Sequence, residues 1–155
     1  MVCTGNTCRS PMAEGIARAL AKEKKLDDLK FSSAGTMAGD GVPATDHAIA
    51  VAAHWNIDIS GHRSRLLTRA LIRKADLILG MEPEHIDRIL EIDRSANSKT
   101  YLIKGFPQPF DRAQGKIDDP IGLSLEYYNQ AFLELDEVMR RIFPGIIELS
   151  RSDDK

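Results

Sequence analysis

The chain has 155 residues and a formal net charge of −2 at pH 7. That length suits one domain with a real core, and the near-balanced charge gives no reason to expect nucleic acid or an acidic membrane as a partner. No apolar run is long enough to span a bilayer and no basic-then-apolar leader is read, so a cytoplasmic protein is expected. The two cysteines, Cys3 and Cys8, lie in one tight loop. They make neither a secreted disulfide framework nor a metal site, and neither a metal nor a cofactor is expected.

The loop Cys3-Thr4-Gly5-Asn6-Thr7-Cys8-Arg9-Ser10-Pro11 comes first. Ser10 is a good N-cap and Pro11 suits a first helical turn, so a helix is predicted over 11–25. A short loop entering a helix N-terminus aims several backbone N–H groups at one point, where the helix dipole also favours an anion. Gly5 permits close approach of backbone to ligand, and the Arg9 fork can grip two oxygens. Thr4, Gly5, Asn6, Thr7, Cys8 and Arg9 therefore read as a phosphate cradle. The same surroundings are expected to lower the pKa of Cys3 and make it a nucleophilic thiolate beneath a bound phosphoryl group. A reversible Cys3–Cys8 disulfide is one reading of Cys8, and a small apolar filler is the other.

Further along, 29–33 reads as a short strand and 34–43 as a Gly-rich loop. A helix is predicted over 44–54, with Ala48, Val51 and Ala52 as its apolar face. Residues 75–81, with Leu77-Ile78-Leu79 at the centre, read as a strand covered on both faces. A helix follows over 83–92, then a strand over 100–103 and a Pro- and Gly-rich loop over 105–118. Phe106 and Phe110 in that loop either pack inward or flank a cleft. The best-marked helix spans 124–143, striped by Leu125, Tyr128, Phe132, Leu135, Met139 and Ile142, and Pro144-Gly145 is expected to end it. Strands alternating with helices predict an α/β fold with a parallel sheet, the ligand sitting at the carboxyl ends of the strands. One domain over 1–149 and a charged tail over 150–155 are expected.

The opening loop resembles the active-site loop of the low-molecular-weight protein tyrosine phosphatases, matching it at Cys3, Gly5, Asn6, Cys8, Arg9, Ser10 and Pro11. The resemblance implies a single three-layer domain with a parallel sheet of about four strands. It also implies that the first, central strand is largely missing here, because only Met1 and Val2 precede Cys3. The family's general acid lies in a late Asp-Pro pair, which places that role on Asp119 of Asp118-Asp119-Pro120. Asn6, Ser10, Ser33 and His62 match a hydrogen-bonded set that supports the loop.

The implied activity is hydrolysis of a phosphorylated protein through a cysteinyl-phosphate, with Cys3, Arg9 and Asp119 as catalytic residues. Two substrates stay open. Thr7 is similar to the branch that acts on phosphoarginine, and Ile121 stands where many tyrosine-directed members carry a stacking Tyr. A non-catalytic phosphoresidue-binding module, or an inactive truncated member, is the alternative from another class. A thioredoxin-coupled arsenate reductase needs two further cysteines, which this chain lacks. The sequence does not specify an oligomeric state.

Overall fold

The structure is a computed structural model describing residues 1–152. Four strands form one parallel sheet: β1 (Val2–Cys3), β2 (Ala34–Gly35), β3 (Ile78–Gly80) and β4 (Thr100–Leu102), in the order β2-β1-β3-β4. Helices flank it: α1 (Arg9–Glu23), α2 (Asp46–His54), α3 (Arg69–Lys74), α4 (Pro83–Ile92) and α5 (Leu125–Ser152). Alternation along β3 shows why three layers form, since successive side chains of a strand point to opposite faces. Leu79 joins the core beneath α1, α2 and α5, whereas Ile78 joins a second cluster with Ile72, Ile89 and Ala96 on the other face.

β1 is short and central, as expected. Its two residues are enough to bridge the sheet: Val2 pairs with Ala34 on one side and Gly80 on the other, and Cys3 pairs with Gly35. This register replaces the strand predicted over 29–33. A ladder needs a partner, and on that side Val2 and Cys3 pair with Ala34 and Gly35, two residues that the sequence places at the start of a loop. Residues 30–34 and 75–79 instead flank an open groove of about 930 Å³ whose lining includes Met1, Val2, Phe31 and Ile146.

Two helix boundaries also differ from expectation. Ser10 is not the N-cap of α1; Cys8 holds that position, and the helix starts at Arg9. Ser10 sits fully buried inside the first turn, its hydroxyl committed to the loop. Pro144-Gly145 does not end α5, which continues to Ser152. Pro144 lies on the exposed side, while Phe143 and Ile146 keep the buried stripe going on the other. Burial of that stripe is worth about 1.5–3 kcal/mol per large side chain, comparable to the roughly 3 kcal/mol an interior proline costs. Of the tail expected over 150–155, 150–152 belong to α5 and 153–155 lie outside the described residues.

Some boundaries follow their chemistry. Thr45 caps α2 by accepting from the Ala48 N–H, and Pro83 opens α4 in its first turn. α3 had no strong apolar period to announce it; Thr68 caps it and accepts from the Leu71 N–H.

Candidate active site

The loop between β1 and α1 lies at the carboxyl end of the central strand, where an open parallel sheet binds its ligand. It wraps a pocket of about 180 Å³ whose lining includes Cys3, Thr4, Thr7, Arg9, Asp119 and Ile121. Gly5 and Cys8 complete that lining, so the whole predicted cradle except Asn6 faces one space. Asn6 points the other way. It is fully buried and adopts a left-handed conformation, φ 56°, that Asn tolerates better than most residues.

Asn6 ties the loop to three other segments. Its Nδ2 group donates to Ser10 Oγ at 2.8 Å and to Ser33 Oγ at 2.9 Å, and its Oδ1 accepts from the Arg65 N–H at 3.0 Å. His62 Nε2 donates to the Asn6 carbonyl at 2.7 Å. Ser33 Oγ donates in turn to Glu14 Oε2 at 2.6 Å. Ser10, already accepting from Asn6, is free to donate to Cys3 Sγ at 2.9 Å, and the Asn6 N–H reaches the same sulfur at 3.3 Å. The four support residues named from the resemblance are thus in one network, and the network ends on the sulfur. Gly35 lets it close, since a Cβ there would lie 2.5 Å from the Thr4 carbonyl oxygen.

The state of Cys3 departs from expectation. Burial pushes its thiol above the ordinary value, and the Ser10 hydrogen bonds, the Arg9 charge and the Asn6 N–H only partly offset that. Arg9 is not a free cation. Its buried guanidinium contacts Glu82 at 3.1 Å and Asp119 at 3.2 Å, and it donates to the Ile117 carbonyl at 2.9 Å. Two carboxylates share the charge expected to lower the thiol pKa. For Glu82, burial raises the carboxyl pKa, but Arg9, His85 and Lys116 outweigh it and hold it below the usual range.

Asp119 does face the loop. The Ile117 N–H bonds to the Met81 carbonyl at the end of β3, which anchors the segment. The Ile121 N–H donates to Asp119 Oδ1 at 3.1 Å. Asp118 is largely exposed, near Lys116, and stands outside the site. Both cysteines are free thiols. Cys8 Sγ lies 3.3 Å from the Tyr128 hydroxyl and 3.6 Å from Thr45 Oγ1. Burial first, then contact with Cys8, pushes the Tyr128 phenol up to about 12. Phe106 packs in the core against Tyr101, and Phe110 sits beside Arg112; neither lines the pocket. Met37 is 79 % exposed and does not line the pocket.

Glu82 and His85 belong to the site and were not read from the sequence. Their signal was their position: they directly follow a buried parallel strand, in the place where such sheets put functional groups.

A buried thiol at the end of the central strand, a guanidinium beside it and a carboxylate lining the same small pocket define a cysteine-dependent phosphatase. The chain belongs to the low-molecular-weight protein tyrosine phosphatase family: residues 1–153 match the model described as low molecular weight phosphotyrosine protein phosphatase. Among the relatives it is similar to is a protein-arginine-phosphatase of Bacillus subtilis, 35 % identical over 141 residues, covering 91 % of each chain. A low molecular weight protein-tyrosine-phosphatase of Escherichia coli, Etp, is 36 % identical over 129 residues, covering 79 % of this chain and 84 % of its own. The solved YwlE arginine phosphatase of Geobacillus stearothermophilus superposes with a TM-score of 0.83 at 36 % identity, covering 95 % of this chain and 90 % of the other. Among the described residues, no helix is long and apolar enough to cross a membrane.

Proposed function

We propose that this chain dephosphorylates proteins through a phosphocysteine at Cys3, and that phosphoarginine is its substrate. One observation carries the mechanism: Cys3, Arg9 and Asp119 line the same pocket, and Arg9 contacts the Asp119 carboxylate. A substrate phosphoryl group would replace Asp119 as the partner of Arg9, with the loop N–H groups holding its remaining oxygens. The Cys3 sulfur attacks phosphorus as the bond to the leaving atom breaks, and Asp119 gives that atom a proton. Water then attacks the thiophosphate, Asp119 takes its proton, and the S–P bond breaks to release inorganic phosphate and restore the Cys3 thiolate. Ser10 and the Asn6 N–H stabilise the sulfur anion at both steps. Arg9 and the backbone supply the positive charge, so the scheme routes no step through a metal.

The lining favours phosphoarginine over phosphotyrosine. Thr4 and Thr7 present hydroxyls, Ile121 is 52 % exposed, and among the described residues no aromatic ring lines the pocket to stack on a phenyl group. Similarity to arginine phosphatases supports the same choice, although tyrosine phosphatases match the chain at comparable identity.

Cys3→Ser is expected to abolish turnover of para-nitrophenyl phosphate while inorganic phosphate still raises the melting temperature. Turnover that survives the change would refute the phosphocysteine. Hydrolysis of matched phosphoarginine and phosphotyrosine peptides, with Thr7→Ile in parallel, tests the substrate. Thr7→Ile is expected to shift preference toward the aromatic peptide, and a parent enzyme preferring phosphotyrosine would overturn the choice.

A further inference from the structure

His85 is buried in the first turn of α4, and the scheme above gives it no task. Its two ring nitrogens are both committed. Nδ1 is 3.0 Å from the Glu82 N–H and can only accept there. A neutral ring that accepts at Nδ1 carries its proton on Nε2. Nε2 therefore donates to Thr4 Oγ1, 2.9 Å away. Burial first, then the Arg9 charge, keep the ring neutral down to about pH 4, although Glu82, Glu84 and Asp119 pull the other way.

This direction matters for Thr4. Its hydroxyl oxygen receives a proton from His85, so its own O–H points elsewhere. Among the described residues no side chain accepts that proton. Thr4 lines the pocket beside Cys3 and Arg9. We infer that His85 is a positioning residue that holds the Thr4 hydroxyl as a donor aimed at the substrate's phosphoryl group. Thr4 then adds a side-chain donor to the ring of loop N–H groups. His85 couples that donor to Glu82 and so to Arg9, because its Nδ1 also fixes the backbone of the residue that pairs with the guanidinium. The inference rests on the phosphoryl-binding part of the proposed function and not on turnover.

Two changes at position 85 separate the two bonds of the ring. The Asn amide oxygen falls near Nδ1, so His85→Asn keeps the acceptor for the Glu82 N–H and loses the donor to Thr4. The Gln amide falls near Nε2, so His85→Gln keeps the donor and loses the acceptor. Steady-state hydrolysis of para-nitrophenyl phosphate and titration with inorganic phosphate are measured on the full chain, with melting curves for each variant. Thr4→Val and His85→Asn are each expected to lower kcat/KM about tenfold, the scale of one hydrogen bond. The double variant is expected to be no worse than about twofold below the weaker single, because both remove the same interaction. His85→Gln and Thr4→Ser, which keep the donor or the hydroxyl, are expected to recover most of the activity that His85→Asn and Thr4→Val lose. Phosphate affinity is expected to fall in Thr4→Val and His85→Asn alike.

Parent kinetics and phosphate affinity in a folded His85→Asn protein would overturn the inference, as would losses that multiply in the double variant. Thr4→Val is half-buried and keeps its shape, so it tests the donor even if changes at His85 disturb folding. A parent that binds phosphate through Thr4 but turns nothing over would strike the phosphatase reading and leave this one standing. Unchanged phosphate affinity in Thr4→Val would strike this one alone.

Discussion

Asn6→Ala gives the sharpest test of how the loop is held. The change removes three hydrogen bonds, to Ser10 and Ser33 at 2.8 and 2.9 Å and from the Arg65 N–H at 3.0 Å. Each is worth about 1 kcal/mol net, and more where a buried partner is left unpaired, so roughly 3–4 kcal/mol of stability should go. Alanine at φ 56° adds about 1 kcal/mol of backbone strain that asparagine largely avoids. For a chain of this size each kcal/mol moves the melting temperature by about 2–4 °C, so a drop of about 10 °C or more is expected. Phosphate affinity should fall with it, because Ser10 and the Asn6 N–H, the two donors to the Cys3 sulfur, both depend on that side chain or its backbone. Asn6→Gly separates the causes: it relieves the left-handed strain and loses the same bonds. Calorimetry and phosphate titration of the two variants decide the matter. A melting shift below about 3 °C in Asn6→Ala, with parent phosphate affinity, would refute the claim that this network holds the cradle.

Asp119→Asn is expected to lower kcat for poor leaving groups by about 10²–10⁴, the usual range for a lost general acid, while inorganic phosphate binds more tightly. The second effect follows because the Asp119 carboxylate competes for the Arg9 NH2 group at 3.2 Å; weaker phosphate binding in the variant would contradict it. Stability should also fall with acid through His85. Its folded pKa is depressed from 6.5 to about 4, so the unfolded chain binds the extra proton first, and stability present above 6.5 is lost as pH falls toward 4. About 3 kcal/mol is at stake at 1.36 kcal/mol per pKa unit, and a His85→Asn protein should show a flatter melting temperature across that window. An equal acid slope in both proteins would assign the loss to other groups.

The local chemistry of the cradle was legible in the sequence because it is dense in one short stretch. Cys3, Gly5, Arg9 and the helix that follows carry their meaning in residue type and spacing. The parallel sheet was legible for a similar reason: Leu77-Ile78-Leu79 can be buried on both faces only in such a layer. The strand at Ala34–Gly35 was not, since a two-residue ladder exists only because Val2 and Cys3 lie beside it. Nor was the passage of α5 through Pro144, where a buried stripe on the far side outweighs a local rule.

Sequence by itself determined which groups could do the chemistry: a thiol, a guanidinium, a carboxylate and a loop of small residues. Only the tertiary structure decided their electrostatic state. Burial raises the Cys3 thiol pKa, and Glu82, from the far end of β3, shares Arg9 with Asp119. His85 reaches the loop from 81 positions away and sets the direction of a hydroxyl proton. Charge and hydrogen-bond direction depend on what lies within a few ångströms, and residues far apart in the chain become neighbours only when the sheet brings their strand ends together.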